Sequence, residues 1–349
     1  MSRQLGAFSG LAMILIVLNH AIFMGLQGTA VYTNLILPTW ERTLLSIMQG
    51  LGVFAVPIFL FVSGSFVAYA ARAKRVEGIS YQFIWTGLRH ILIPYVIWSL
   101  IFYLAVYLLR GEQHTLFGYI KNILVGYPYH FIPLLVFFYL LAPVLVYLSR
   151  RWSWLILLAV GIYQLFLLNL RDPAILGFAF PESWSLLALP VLTNTMADWG
   201  IYFPLGLVVS TKMGEIRPFL QRVKWVTAVI TILLFILAVL DANRLINLAI
   251  ARFLAPLTFI LLVPVIERNS LPLVRQLEKV GKKAYGLYLT HLLILEIIVL
   301  LIGTLWPPLF GYSLIVYPLL FGLALYLPLL LMDGVARAPT RPAYRYLFG

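Results

Sequence analysis

Long apolar segments recur along the whole chain, and they restrict its fold more than any other feature of the sequence. The first runs from about residue 6 to residue 26 without a charged side chain, and similar segments follow as far as about residue 332. A bilayer core about 30 Å thick requires roughly 20 apolar residues in one helix. Since backbone polar groups in lipid must be paired within the segment, such runs predict membrane-spanning helices.

We predict about ten spans, which form an all-α, polytopic transmembrane helical bundle in a single domain over residues 1–349. Charged residues make up 11% of the chain, against about 25% in a soluble domain. Pro204 and Gly206 interrupt the sixth span, and the preceding stretch 174–192 is a candidate for a segment that dips into the membrane. The predicted spans are 6–26, 46–70, 89–109, 131–148, 153–170, 190–210, 225–240, 246–266, 284–303 and 312–332.

Lysine and arginine residues fall mainly in alternate loops, and this bias sets the orientation. Of the 25 basic residues, Arg252 lies inside a predicted span, and the less basic set of loops holds Arg42, Arg110, Lys121, Arg171 and Arg244. Basic loops stay in the cytoplasm, so both termini are predicted to be cytoplasmic. The bias also explains the net charge of +13 without a nucleic-acid partner. We expect a multi-pass protein of the plasma (inner) membrane, with the lipid bilayer as its surroundings.

Several chemistries are excluded by what the sequence lacks. The chain has no cysteine, which rules out disulfides and thiolate catalysis. It also has no Walker loop, dinucleotide-binding glycine turn, zincin helix or GxSxG elbow. A hydrolase, an ATP-driven pump and a metal site are therefore disfavoured.

Ionisable side chains inside predicted spans are functional candidates, because they are costly in lipid. A rise of about 1.5 Å per residue places His20, Arg252 and Glu296 at one depth, on three different spans. A second set lies nearer the cytoplasm, and it comprises Ser63, Arg89, His90, Tyr288 and His291.

Irregular backbone is predicted at the same depth, because Gly50, Gly52 and Pro57 interrupt the second span. Non-helical backbone inside a membrane is tolerated where it is buried in protein or lines a cavity. Together with the polar residues, it predicts a polar cavity open to the cytoplasm, with a catalytic layer deeper in.

Structural roles for the same residues remain open at this stage. A lone intramembrane histidine can be an interhelical hydrogen-bond partner, and Arg252 and Glu296 can belong to a structural ion pair. Arg89 and His90 can be interfacial anchors. Asp198 can cap a helix.

Five segments carry a more specific signal through their order along the chain. They are GLAMILIVLNH (10–20), FAVPIFLFVSGSFVAY (54–69), LRHILIPYVIWS (88–99), FIPLLVFFYLLAP (131–143) and GKKAYGLYLTHLLIL (281–295). Together they resemble the acyltransferase type 3 family of integral membrane proteins. One departure is clear: the family has an arginine eleven residues before the first-span histidine, where this chain has Ser9, and its accompanying aspartate is replaced by Gly6.

The resemblance implies transfer of an acyl group, most often acetyl, from cytoplasmic acyl-CoA. The acceptor is a hydroxyl or amine of an extracytoplasmic glycan or lipid-linked sugar. Acetyl-CoA or another acyl-CoA is then a donor substrate, and no permanently bound cofactor is expected. The arginine that Ser9 replaces is thought to hold the donor phosphates, so the departure puts donor binding in question.

Roles for the candidate residues follow from this reaction. His20 is the predicted general base, Glu296 its orienting partner and Arg252 the group that stabilises the oxyanion. Donor binding is assigned to Arg89, Lys74 and Arg75 for the phosphates, and to Ser63, Tyr288 and His291 along the route. Candidates for sugar contacts on the outer side are Trp184, Asn194, Asp198 and Trp199.

Two alternatives to an active transferase remain. Charged groups near the midplane also suit a carrier of polysaccharide or lipid-linked sugar, although the sequence shows no internal repeat. The second alternative is an inactive member of the family, because Ser9 stands where the family has an arginine.

Overall fold

The computed structural model describes residues 3–73, 79–266, 273–337 and 339–349, and in these ranges the chain forms helices and turns without a strand. The predicted all-α membrane fold is therefore confirmed. The α-helices are α1 (Arg3–Tyr32), α2 (Thr39–Gly50), α3 (Ala55–Ala73), α4 (Tyr81–Arg110), α5 (Leu116–Val125), α6 (Phe131–Arg151), α7 (Ser153–Arg171), α8 (Thr193–Trp199), α9 (Tyr202–Thr211), α10 (Met213–Ala242), α11 (Ile250–Leu262), α12 (Val274–Lys282), α13 (Ala284–Leu305), α14 (Ser313–Val335) and α15 (Tyr344–Phe348).

Eight helical segments in the described ranges are long and apolar enough to cross a membrane. They coincide with eight of the ten predicted spans, and α2 with α3 forms one of them. The predicted sixth and eighth spans contain the shorter apolar helices α9 and α11, of 10 and 13 residues. Between α7 and α8, the stretch predicted to dip into the membrane forms short 3₁₀ helices at Pro173–Ile175 and Glu182–Leu187.

Helices α3 and α9 cross with their backbones in contact. A side chain at Gly64 would collide with the carbonyl oxygen of Phe203, and one at Gly206 would collide with that of Phe61. Ser65 strengthens the crossing, because its hydroxyl donates to the carbonyl oxygens of Phe61 (2.8 Å) and Gly206 (3.3 Å). Small residues allow such close approach in membranes, where the hydrophobic effect does not drive helix association.

We expect Gly206→Val to destabilise the protein by at least about 1–3 kcal/mol, the usual cost of overpacking a core. The physical reason is that the added side chain must push α9 away from α3. The midpoint of thermal unfolding in detergent measures the effect. Gly322→Val is the matched control, because Gly322 lies within α14 and has open space at its Cβ position. Equal unfolding midpoints for the two variants would contradict the prediction.

The cytoplasmic half of α1 is packed against α12 in a similar way. A side chain at Gly10 would collide with the carbonyl oxygen of Leu277, and one at Gly281 with that of Gly6. The apolar residues Ala12 and Met13 of α1 are fully buried in this region. The helix α12 therefore covers the cytoplasmic end of α1.

Three helix breaks lie close to one another in the bundle. One lies between α2 and α3, where Leu51–Phe54 forms a 3₁₀ turn. Another lies at Gly200 between α8 and α9. A further break, at residues 126–130 between α5 and α6, was not predicted from the sequence. Tyrosine hydroxyls hold it: Tyr95 donates to the carbonyl oxygen of Ile123 (2.5 Å), Tyr103 to that of Tyr127 (2.6 Å) and Tyr129 to that of Leu289 (2.5 Å).

A buried side-chain amide on α7 pairs with the backbone groups that the break between α8 and α9 leaves without helical partners. The Gln164 side chain is fully buried, donates to the carbonyl oxygen of Ala197 (2.8 Å) and accepts from the backbone N–H of Ile201 (2.8 Å). These are backbone groups that a continuous helix would pair internally.

We expect Gln164→Leu to cost about 1–3 kcal/mol, because it leaves buried backbone donor and acceptor groups unpaired. Thermal unfolding of the purified variant measures this loss. Gln82→Leu provides a control at an exposed position of α4. An unfolding midpoint for Gln164→Leu equal to that of the control would contradict the role of the amide.

Candidate functional site

A cavity of about 880 Å³ lies where the three helix breaks meet α1. Its deep end contains Ile16, His20 and Tyr288, and its rim includes Arg171 and Asp172. By the predicted orientation these rim residues belong to the outer side, so the cavity opens outward. We expected a cavity open to the cytoplasm instead.

The difference has a physical cause in the packing of the cytoplasmic halves of the helices. The α3–α9 and α1–α12 crossings bring backbones together there, and no side-chain volume remains between them. The sequence predicts that the irregular backbone of span two, at Gly50, Gly52 and Pro57, lines a cavity. Gly50 and Gly52 do line the cavity, whereas Gly64 serves the helix crossing.

His20 forms a hydrogen bond with His291 at the deep end of the cavity. The Nδ1 atom of His20 lies 3.0 Å from Nε2 of His291, and the ring centroids are 5.2 Å apart. His291 is fully buried, whereas His20 lines the cavity. The sequence analysis placed these two histidines in different layers, and α1 and α13 bring them together.

The hydrogen bonds assign the proton positions in this pair. His291 Nδ1 lies 3.1 Å from the carbonyl oxygen of Leu287, which can only accept, so Nδ1 carries the proton. Neutral His291 then accepts at Nε2 from the Nδ1–H of His20. His20 lines the cavity, and Nε2 of its neutral ring then carries the lone pair that a general base requires.

Aromatic rings pack around the pair. Tyr288 lies one helical turn before His291, with their ring centroids 5.8 Å apart, and it also packs on Phe131 (4.6 Å) and Tyr129 (5.7 Å). The Phe131 ring stacks on that of Phe59 (5.9 Å). Tyr288 was predicted to lie along a donor route, and it is a wall of the outward-facing cavity.

Two arginine–aspartate pairs contribute polar groups to the cavity. Arg252 Nε lies 2.6 Å from Oδ2 of Asp241, and an Arg171 nitrogen lies 2.6 Å from Oδ1 of Asp198. Since each pair is charge-balanced, the pairs favour polar, uncharged ligands over polyanions. Asp241 also accepts from the backbone N–H of Leu248 (2.8 Å), so it fixes the turn that carries Arg252.

Glu296 lies apart from the histidine pair in this arrangement. It forms an ion pair with Arg110 at the end of α4 and is not among the residues that line the cavity. The ring partner of His20 is His291 rather than the predicted Glu296. The ion pair corresponds to the structural alternative that the sequence left open for Glu296.

Of the predicted donor-binding residues, Arg89 and Ser63 are not among those that line this cavity. Arg89 lies exposed on α4 with its guanidinium 5.4 Å from the ring of Trp85. The Ser63 hydroxyl donates to the carbonyl oxygen of Phe59 within α3 (2.8 Å). Lys74 and Arg75 lie outside the described residues.

Ser9 occupies the position where the resembling family has an arginine. Its side chain is buried, and its hydroxyl donates to the carbonyl oxygen of Leu5 (3.2 Å). The neighbouring Gly10 is in backbone contact with α12. Burial next to this crossing suits the small serine side chain.

Of the predicted sugar contacts, Asp198 and Trp199 line the cavity. Trp184 instead stacks on Phe180, with ring centroids 5.1 Å apart, and Asn194 is exposed on α8. His130 also lines the cavity, and the sequence analysis missed it. A signal existed in the YPYH sequence (127–130), where an X-Pro bond and a titratable side chain precede an apolar run.

Comparison with known sequences places this site in a family context. The profile of an acyltransferase domain matches residues 7–333. Similar curated proteins include the "Probable poly-beta-1,6-N-acetyl-D-glucosamine export protein" of Staphylococcus aureus strains MSSA476 and MW2. Each is 23% identical over 260 residues, or 71% of this chain and 71% of the relative. No solved structure matches the chain.

Proposed function

Since the chain belongs to the acyltransferase type 3 family, we propose that it transfers an acyl group, most often acetyl, from cytoplasmic acyl-CoA. The acceptor is a hydroxyl or amine of an extracytoplasmic glycan or lipid-linked sugar. The observation that carries this proposal is the His20–His291 hydrogen bond at the deep end of the outward-facing cavity. The plasma membrane is the proposed location.

The cavity suits the acceptor better than the donor. Its volume is typical of small-molecule sites, which span about 300–1,000 Å³. The balanced Arg171–Asp198 and Arg252–Asp241 pairs offer hydrogen bonds to hydroxyl groups, and Trp199 offers an aromatic surface. The diphosphate of CoA would find no excess of positive charge there. The similar staphylococcal proteins, whose name refers to an N-acetylglucosamine polymer, support a glycan acceptor.

His20 acts as the base in the proposed reaction. The acceptor oxygen attacks the thioester carbon while its proton passes to Nε2 of His20, and His291 accepts from Nδ1–H of the resulting imidazolium. Arg252 stabilises the negative oxygen of the tetrahedral intermediate. The carbon–sulfur bond then breaks, and the leaving thiolate takes the proton from His20.

The donor is proposed to approach from the cytoplasmic side, where the basic loops lie. Arg89, Lys74 and Arg75 remain the proposed phosphate-binding residues, because a guanidinium or ammonium group forms charge-assisted hydrogen bonds with phosphate. They would take over the task of the family arginine that Ser9 replaces.

Transfer can be tested with the purified chain in proteoliposomes supplied with radiolabelled acetyl-CoA. N-acetylglucosamine oligomers are presented on the side of the outward-facing cavity. We expect label in the oligomer, dependent on His20. Absence of label from the oligomer with folded protein would contradict the proposal.

The name of the similar staphylococcal proteins favours one second candidate, which is export of a glycan. The same proteoliposomes distinguish it, with unlabelled acetyl-CoA and a labelled oligomer inside. Release of unmodified oligomer that does not depend on acetyl-CoA favours the carrier. Retention of the enclosed oligomer, with acetylation only of oligomer on the side of the cavity, favours the transferase.

A further inference from the structure

The cavity has two chemically different walls. One wall is apolar and belongs to α10, where Phe235, Ala238, Val239 and Ala242 line the cavity. Their spacing of three and four residues puts them on one face of the helix. Polar side chains of other elements line the same cavity, and they are Asn19, His20, His130, Arg171, Asp198 and Arg252.

A single helix separates this apolar wall from the surface of the bundle. The opposite side of α10 carries Ile230 and Leu233, which are about half exposed (41% and 54%). In a membrane these side chains face lipid. The α10 wall therefore has the cavity on one side and hydrocarbon on the other.

One edge of α10 meets α2 along a seam formed by Ser46, Gly50, Val239 and Asn243. We call it the α2–α10 seam. The Asn243 side chain donates to the Ser46 hydroxyl (2.8 Å) in a solvent-exposed hydrogen bond. Deeper in, a Cβ atom at Gly50 would lie 3.2 Å from Cγ2 of Val239. Ser46, Gly50 and Val239 also line the cavity, so parting the seam would open the cavity sideways.

We propose that the acceptor is an amphiphile anchored in the outer leaflet, and that its polar headgroup enters the cavity sideways through the α2–α10 seam. The hydrocarbon anchor lies along the apolar face of α10, and the headgroup reaches His20. Sideways access leaves the anchor in an apolar environment throughout, whereas access from water would expose it. This inference rests on the proposed function and specifies how the acceptor of that site arrives.

A disulfide across the seam tests this route, and the absence of native cysteine makes the test clean. The double variant Gly50→Cys/Val239→Cys brings two thiols together across the seam, because a Cβ at position 50 lies 3.2 Å from the side chain of Val239 and the Cβ atoms of a disulfide lie about 3.5–4.5 Å apart. Replacing Val239 also removes the atom nearest to the new Cβ. The variant is reconstituted in liposomes that contain an alkyl glycoside of N-acetylglucosamine with a photoreactive diazirine in its alkyl chain.

After illumination, mass spectrometry identifies the labelled residues of α10. We expect label on Phe235, Ala238 or Ala242 in the reduced protein, loss of this label after oxidation, and its return with dithiothreitol. Label on the lipid-facing Ile230 and Leu233 should remain in all samples. Cavity labelling that is equal in oxidised and reduced protein, or absent from both, would overturn the proposal.

A second pair guards against misfolding of the first. Ser46→Cys/Asn243→Cys closes the same seam nearer the outer surface, and the four single-cysteine variants provide controls that cannot form an intramolecular disulfide. Photolabelling requires no acyl transfer. A chain that is labelled through the seam but transfers no acetyl group would count against the proposed function and leave the access route standing.

Discussion

Replacement of His20 by glutamine is expected to lower the rate of acyl transfer by about 10²–10⁴-fold, the usual contribution of a general base. Glutamine preserves approximate size and polarity but cannot take the proton of the acceptor. The rate of acetyl transfer in nanodiscs measures the effect at saturating donor and acceptor. Since His20 lies at the deep end of the cavity, the loss should appear in kcat.

The control for this variant is His114→Gln. His114 lies exposed in the loop between α4 and α5, and it is not among the residues that line the cavity. We expect a rate equal to that of the unmodified chain. A folded His20→Gln variant that retains the full rate would remove His20 from the mechanism.

Replacement of His291 by phenylalanine is expected to lower kcat by about 10–100-fold, because a hydrogen bond to a charged group is worth about 1.5–3 kcal/mol. Phenylalanine keeps the aromatic packing against Tyr288 but cannot accept from Nδ1–H of His20. The imidazolium of the intermediate then loses its partner. His291 acts here as a positioning residue, since it contacts His20 and is itself fully buried.

Rescue distinguishes this role from a structural one. His291→Gln supplies a carbonyl oxygen that can accept from His20, so it should recover part of kcat, whereas the KM for the acceptor stays the same in both variants. Equal kcat values for the phenylalanine and glutamine variants, with equal expression and unfolding midpoints, would show that the hydrogen bond does not contribute to transfer.

The outward-facing cavity and the packed cytoplasmic side divide the proposed reaction between the two faces of the membrane. Polar, charge-balanced groups line the side where a glycan would arrive, and basic loops surround the side where acyl-CoA would arrive. In the described ranges, α12 lies across α1 below His20. The donor therefore cannot pass between α1 and α12 at this crossing unless the two helices part.

The histidine site was partly predictable. His20 stood out because an imidazole within a continuous apolar run is costly unless it has a partner. Its partner did not stand out, because His291 is 271 residues away and was assigned to a shallower layer. A depth that is counted in residues from the start of a span assumes straight, upright helices that all begin at the same level. The helix α13 begins directly after α12, and α12 is packed on the end of α1, so the two helices need not share a starting level.

Arg252 and Glu296 show the same limit for ion pairs. Both were recognised as charges that need a partner, but the partners are Asp241 and Arg110, which lie at or just beyond predicted span ends. Residues at span ends are expected to face water, and no pattern in the sequence pairs them with groups deeper in the bundle.

The sequence by itself determined that this chain is a polytopic helical membrane protein, and it predicted the orientation and the need of His20 for a partner. These properties depend on hydrophobicity and charge along short stretches of chain, which are local. The tertiary structure alone decided that His20 meets His291, that the cavity opens outward, and that α10 stands between that cavity and lipid. Those outcomes depend on how helices tilt, rotate and cross, and close crossings such as Gly64 with Gly206 are set by packing between distant segments.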